Sequence, residues 1–256
     1  MFYLYVFIIL FSGSVFANDS EKKSVNSQLF INGKIDKVQL KKINDAYQQA
    51  EIKPTRIVIN SLGGDSYSSL LLAKWIHDHQ IEVEVDQYCV GPCADYVFLA
   101  GSKKILNSKS RLFWTGRYLG SFLKDKDTYL DIMYKYAKEK NVTAENELGV
   151  FIDQALFERK LLLSKDRLFF EAIDLDPSFM DKEVLTGLRL RHADSGLIVE
   201  EPILGFYYDE NEMKKLGIKG VELKDGEWHQ NEKLKSGRIQ SVLFSEIKAL
   251  KSGYEK

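Results

Sequence analysis

A glycine pair that follows an apolar strand is the first place in this sequence where backbone groups could do chemistry. Residues 56–60 read RIVIN, and the chain continues through residues 61–65 as SLGGD. Glycine lets the backbone approach a ligand closely and turn its N–H groups toward a carbonyl oxygen. Gly63 and Gly64 are therefore candidates for an oxyanion hole. Without further support, the same residues would be interpreted as a simple tight turn.

A second segment, residues 89–101, reads CVGPCADYVFLAG and predicts the end of a strand, a sharp turn and a helix. Pro92 suits the first helical position, where its missing N–H costs nothing, and Gly91 before it permits a strained turn conformation. Hydrolases often place a nucleophile at a turn of this shape. Here the turn carries no hydroxyl or thiol at Gly91, although the start of the helix could still attract an anion or a peptide carboxylate.

The two segments, in this order and at this separation, resemble the Clp protease/crotonase superfamily, especially exported bacterial proteins related to the Clp protease subunit and to signal peptide peptidase A. The resemblance covers roughly residues 28–120 and implies an α/β fold built as a spiral of ββα units. It also implies that the glycine pair forms the oxyanion hole and that the serine position is Gly91. The histidine position falls in residues 113–116, FWTG, at Thr115. Both chemical positions have changed, so we expect a catalytically degenerate member.

Substitute catalytic groups lie near these positions. Asp65 and Asp95 could act as carboxylate bases, but we expect Asp65 to cap a helix and Asp95 to face solvent in the first turn of one. Ser66 and Cys93 are weak alternatives for a displaced nucleophile. Crotonase-like acyl chemistry is a third interpretation, because paired backbone N–H groups also stabilise enolates. An exported protein would rarely meet the coenzyme A thioesters that this chemistry needs.

The only two cysteines, Cys89 and Cys93, lie four residues apart across the turn. Three interpretations stay open: two small apolar side chains packed under the turn, a disulfide formed in an oxidising compartment, or a thiolate at Cys93 with a lowered pKa. Two cysteines without a neighbouring histidine make no metal site, and no metal or other cofactor is expected.

The four histidines offer no catalytic motif. His77 and His79 end one predicted helix, where a cation is favoured by the helix dipole, and they are two residues apart, so they face different sides. His192 and His229 lie in loop-rich sequence that no motif connects to Ser66, Ser68 or Ser69. Aromatic residues beside Thr115 could line a peptide groove or belong to the core; they are Phe113, Trp114 and Tyr118.

Alternating strand and helix patterns position these groups and indicate an α/β layer structure. The predicted strands cover residues 28–32, 56–60, 82–86, 104–106 and 111–114, and the predicted helices cover 36–51, 65–76 and 92–100. Residues 125–185 form a helical region, with helices near 129–140, 145–163 and 165–173 whose apolar residues recur every three or four positions. Residues 188–229 carry short β-like runs and turns.

The N-terminal residues 1–17 are uncharged and largely apolar, and they end in Val15-Phe16-Ala17, which fits a small-x-small cleavage rule. They predict a secretory signal peptide and a mature chain, residues 18–256, that forms a single domain. The alternative is an uncleaved anchor, although the apolar run is short for a span of about 20 residues. The absence of a cysteine near the cleavage site argues against a lipoprotein.

The charge balance does not indicate a nucleic-acid partner, because 36 basic and 37 acidic residues are interspersed and give a net charge of −1. We therefore expect an exported protein, periplasmic or secreted, without a stable membrane span once the signal is cleaved. We expect it to be a pseudo-peptidase that binds or assembles. Its expected partners are copies of itself, formed through the helical region, and a peptide or another protein.

Overall fold

A parallel β-sheet with helices packed against it organises this α/β protein. The computed structural model describes residues 27–117, 125–142, 144–194, 203–228 and 238–252. Strand order is β1-β2-β3-β4-β7; β3 is long enough to pair with β4 through its first half and with β5 through its second half. All these pairings are parallel. The strands are β1 (Gln28–Asn32), β2 (Arg56–Ser61), β3 (Glu82–Val90), β4 (Lys104–Leu106), β5 (Arg111–Phe113), β6 (Gly205–Tyr207), β7 (Val221–Leu223) and β8 (Ile239–Ser241).

The central strands are apolar because both neighbours and the covering helices bury them. Ile57 and Ile59 of β2, and Val83 and Val85 of β3, are fully buried. Strands β6 and β8 form a separate parallel pair. This pair is joined to the main sheet by an antiparallel bridge between Trp114 and Phe206.

Two capped helices follow the first two strands, close to where the sequence predicts them. Helix α1 (Lys37–Gln49) begins after Asp36, whose side chain accepts a hydrogen bond from Gln39 N at 2.9 Å. Helix α2 (Ser66–Asp78) begins after Asp65, which accepts one from Ser68 N at 2.8 Å. Each carboxylate satisfies an N–H group that the first helical turn leaves without a partner.

The segment after β3 is helical over residues 92–100, as predicted, but its centre is a π-helical stretch, Cys93–Phe98. All six side chains of that stretch are buried. Wide turns of this kind are rare and occur often at functional sites.

The helical region differs from the prediction in two ways. Residues 145–173 were expected to form two helices, and the structure has one, α4 (Glu145–Ala172), which follows α3 (Lys126–Glu139). No proline or glycine interrupts the sequence near residue 164, so nothing ends the helix there. Helix α5 (Lys182–Asp194) then extends past residue 188, where β-like structure was expected. Gly187 of α5 packs directly on the backbone of Leu250 in α7 (Ile247–Ser252), and this tertiary contact is not visible in the local sequence.

The predicted C-terminal β and loop region supplies a strand to the main sheet. Helix α6 (Glu210–Lys215) is capped by Asp209, and β7 follows it and pairs with β4. Within the described ranges, every helix is too short or too polar to cross a lipid bilayer. The predicted signal peptide (residues 1–17), Tyr118, His229 and the side chain of His192 lie outside the described part of the chain.

Candidate functional site

The glycine pair packs directly against the turn after β3. Gly63 has a φ of +102°, and a Cβ placed on it would lie 2.9 Å from Val90 O and 3.1 Å from Pro92 Cδ. A Cβ on Gly64 would overlap the backbone of Ile35, which forms a parallel bridge with Gly64. Both positions therefore require glycine, and the loop after β2 and the turn after β3 form one contiguous surface.

The turn brings Gly91 to Thr115. Gly91 has a left-handed φ of +53°, its N–H donates to Phe113 O at 3.2 Å, and its carbonyl accepts from Asp95 N at 2.7 Å. A Cβ on Gly91 would lie 2.9 Å from Thr115 Oγ1. Thr115 is half-buried and Gly91 is buried. The positions that the resemblance assigns to serine and histidine are therefore neighbours, but Gly91 has no side chain and Thr115 has a hydroxyl in place of an imidazole base.

Fewer backbone N–H groups are free at the glycine pair than the sequence suggested. Gly63 N–H donates to Ser61 Oγ at 3.1 Å and is already satisfied. Pro92, which follows the turn position, has no N–H, whereas hydrolase turns of this shape commonly use that group as a donor. Gly64 N–H has no acceptor among the described residues. Of the glycine pair, only Gly64 N–H is without an acceptor in the described structure, whereas an oxyanion hole normally uses two donors.

Cys89 and Cys93 form a disulfide across the turn. Their Cα atoms are 5.2 Å apart and both side chains are fully buried. The bond links the end of β3 to the start of the π-helical stretch and encloses Gly91. Because these are the only two cysteines, the chain has no free thiol, and Cys93 is not available as a nucleophile.

Asp95 is buried, not exposed to solvent as expected. Its side chain lies in the π-helical stretch, only 4% of the residue is exposed, and Oδ1 has no hydrogen-bond partner in the described structure. Burial raises the pKa of Asp95 well above its usual value, the charge of Arg117 opposes this shift, and the nearby carboxylates of Asp166 and Asp181 add to it. A buried carboxyl group whose pKa is raised in this way is a poor fit to the solvent-facing base that the sequence suggested.

The other substitute groups are not assembled into a catalytic set. Asp65 is occupied as the cap of α2, as predicted. Ser66 is half-buried at the start of α2, and His77 lies eleven residues later, roughly 16 Å along the helix axis. His79 is held at the far end by a hydrogen bond between its Nδ1 and Trp75 O and by stacking on the Trp75 ring. No described histidine therefore activates Ser66.

A buried ion-pair cluster around Arg117 contacts the π-helical stretch through Tyr96, and sequence reasoning missed it. Arg117 is 2% exposed, and it donates to Asp166 Oδ2 at 2.6 Å and to Asp181 Oδ1 at 3.0 Å. The Tyr96 hydroxyl of the π-helical stretch donates to Asp166 Oδ1 at 2.8 Å. The cluster ties the segment after Thr115 to α4 and to the start of α5. The hydrogen-bonded partners are 49, 64 and 70 residues apart along the chain, so no local pattern could indicate the pairing.

The aromatic residues beside Thr115 divide between core and surface. Trp114 is fully buried and packs edge-on against Phe179 and Tyr208, so it does not line a groove. Phe113 is half-buried. Leu62, next to Gly63, is the exposed apolar side chain at this surface, with 72% of its area accessible. In the described residues, no cluster of histidine, cysteine or carboxylate side chains could hold a metal ion.

Comparison with known proteins adds a distant structural likeness. A scan against models of protein families gives no match, and a search of curated proteins finds no relative. Among solved structures, the chain is similar to ClpP1 from Listeria monocytogenes, with 17% sequence identity, a TM-score of 0.31, and coverage of 48% of this chain and 76% of that one. A likeness at this level does not identify functional residues.

Proposed function

We propose that this protein is an exported, catalytically degenerate relative of the Clp protease/crotonase superfamily, which works by binding and assembly and not by peptide hydrolysis. The proposal includes the spiral of ββα units, cleavage of the leader after Ala17, a periplasmic or secreted location and self-assembly through the helical region. It rests on the motifs at residues 60–65 and 89–101 and on the contacts that these segments make.

The contact between Gly91 and Thr115 carries the proposal. A hydrolase of this type needs a nucleophile at the turn and a base within hydrogen-bonding reach of it. The left-handed turn, the helix that follows it and the neighbouring position are all present, but the side chains are a hydrogen atom and a threonine. The shape of a nucleophile turn is retained without the groups that do the chemistry.

The remaining surface suits a weak contact with a peptide. Gly64 N–H is open to a carbonyl oxygen, and Leu62, two residues earlier, offers an exposed apolar side chain. One hydrogen bond contributes about 1 kcal/mol, so a peptide would need further contacts to bind stably. Assembly of several copies would multiply such contacts without requiring a tight single site.

The two catalytic alternatives lack their required groups. A displaced cysteine hydrolase would use Cys93, which is in the disulfide, and a displaced serine hydrolase would use Ser66, which no described histidine approaches. Crotonase-like chemistry would need an ionised carboxylate and two donors. Asp95 is buried with a raised pKa, and Gly63 N–H is engaged by Ser61.

The test is labelling of the purified exported protein with a fluorophosphonate, which reacts with activated serines. We expect no labelling above that of heat-denatured protein, and a mass that corresponds to a chain beginning at Asn18. Labelling that Ser66→Ala abolishes would establish the displaced serine hydrolase instead. Ser68→Ala is the matched control, since Ser68 is fully buried in the same helix and its hydroxyl is inaccessible to the probe.

A further inference from the structure

A cavity of about 300 Å³ lies at the opposite end of the 92–100 helix from the Gly91 turn. The helix lies between the two, and the cavity shares no lining residue with the Gly91 turn. Apolar side chains line it together with polar ones, which are exposed at the rim. The walls include Leu99, Ile173, Leu175 and Ile218, and the rim includes Gln80, Ser102 and Lys219.

Lys104 of β4 is one of the residues that line this cavity, and it is buried. The residue is 7% exposed, and its Nζ donates to Gly101 O at 2.7 Å. No carboxylate in the described structure forms an ion pair with it. Two charged residues of the lining pair with each other, Asp174 with Lys219 at 2.9 Å, and the adjacent Lys103 pairs with Glu222 at 3.3 Å. His77 of α2 completes the ionisable lining.

Burial without a counter-ion makes this amine more nucleophilic than a surface lysine. Desolvation lowers the pKa of Lys104 to about 8. At pH 7.5 about a quarter of the Lys104 side chains would then be uncharged, compared with about 0.1% for a lysine of ordinary pKa. Enzymes that form imines with carbonyl substrates use lysines whose pKa is lowered by desolvation.

We propose that Lys104 is a nucleophilic amine that captures small, uncharged aldehydes or ketones as an imine within this cavity. The amine lone pair forms a bond to the carbonyl carbon, the carbon–oxygen bond breaks, and the oxygen leaves as water with the two amine hydrogens. The imine nitrogen then takes a proton from solvent and keeps its hydrogen bond to Gly101 O. The reaction needs no oxidant, reductant or metal.

The surroundings determine which carbonyl compounds fit. The C-terminal ends of α2, the 92–100 helix and α4 all contribute residues to the lining. Helix C-termini carry partial negative charge, so they favour the protonated imine and disfavour an anionic substrate. A volume of about 300 Å³ admits a compound of a few carbon atoms.

The experiment is reductive alkylation of the full chain with limiting propanal and cyanoborohydride from pH 6 to pH 11, followed by peptide mass analysis. Lys103 is the internal comparison, because it is adjacent in sequence and its side chain is 51% exposed. We expect Lys104 to react at least tenfold faster than Lys103 at pH 7.5, with a rate midpoint near pH 8 and with the advantage lost above pH 10. Equal rates at pH 7.5, or a shared midpoint, would overturn the proposal.

Two further experiments test whether the cavity, and not only the basicity of the amine, determines the reaction rate of Lys104. Ala172→Phe places a ring at the exposed cavity-lining position Ala172, and we expect it to slow Lys104 at least fivefold without changing Lys103. Replacing propanal by glyoxylate, an anionic aldehyde of similar size, should reduce the preference for Lys104 over Lys103. An unchanged Lys104 rate in Ala172→Phe, in a variant whose circular dichroism matches the native protein, would contradict the proposal. An undiminished preference for Lys104 over Lys103 with glyoxylate would also contradict the proposal.

Discussion

Gly91 and Thr115 face each other across the turn after β3, so that a Cβ on Gly91 would lie 2.9 Å from Thr115 Oγ1. The distance is too short for an undisturbed contact, and the φ of +53° at Gly91 is in the left-handed region that side chains disfavour. Two separate costs therefore oppose any side chain at position 91. One comes from the backbone conformation and the other from the threonine.

These two costs can be separated by a double-mutant cycle. We expect Gly91→Ala to lower the free energy of unfolding by about 1–2 kcal/mol, measured by urea denaturation. In a Thr115→Ala background, which removes the facing atoms, the cost should fall by roughly 0.5–1 kcal/mol. Gly63→Ala is the control, because its Cβ would meet the backbone of Val90 and Thr115→Ala should not relieve it. An identical cost of Gly91→Ala in both backgrounds would contradict the contact.

The disulfide between Cys89 and Cys93 closes a short loop, so its removal should cost less than removal of a long-range bridge. We expect no free thiols in denatured, unreduced protein from the exported fraction. Reduction should lower the free energy of unfolding by about 2 kcal/mol on the chain-entropy estimate. Protein expressed without its leader in a reducing cytosol is the comparison. Two alkylated thiols in the exported protein would exclude the bridge there.

Asp95 should make the protein less stable as the pH rises. Burial raises the pKa of Asp95 in the folded state, so the folded protein binds a proton that the unfolded chain releases above its usual aspartate pKa. The stabilisation is complete below that value and is lost as the pH rises through the raised pKa of the folded state. Asp95→Asn removes this pH dependence. Near pH 8 we expect its free energy of unfolding to exceed that of the native protein by on the order of 1 kcal/mol. A difference that does not change between pH 4 and pH 8 would contradict the burial.

Exposed apolar side chains on α4 underlie the expectation of self-assembly. Phe157 is 66% exposed and Val150 is 69% exposed, and both lie on this helix. We expect an oligomer by light scattering at micromolar concentration, and we expect Phe157→Glu to shift it toward the monomer because a buried charge at an interface is costly. Val38→Glu is the matched control, because Val38 lies on α1 and is 62% exposed. We expect this change to leave the oligomer unaffected. A native monomer, or equal effects of both changes, would count against assembly through α4.

Local sequence signals were enough to place the first five strands and the starts of the helices that follow β1, β2 and β3. Asp36 and Asp65 occupy cap positions as expected, because a cap is decided by three or four consecutive residues. The extent of α5 and the pairing of β7 with β4 depend on distant contacts, and no short pattern encodes them.

The candidate site was predictable in its position but not in its electrostatics. The sequence motifs identified Gly63, Gly91 and Thr115 as candidate site residues, and the structure places them in one region. The hydrogen bond from Gly63 N–H to Ser61 Oγ and the burial of Asp95 depend on loop geometry and on the π-helical stretch. A helical-wheel argument assumes 3.6 residues per turn, so it does not anticipate a π-helical turn that also buries Asp95.

The central claim is that Gly91 and Thr115 occupy the nucleophile and base positions of a retained turn. The most direct measurement is fluorophosphonate labelling of Gly91→Ser combined with Thr115→His, against Gly91→Ala combined with Thr115→His, which has the same backbone strain and no hydroxyl. We expect slow labelling of the serine variant on the peptide that contains position 91, and none of the alanine variant. The rate should stay low because Pro92 supplies no second donor. Equal labelling of the two variants would contradict the claim.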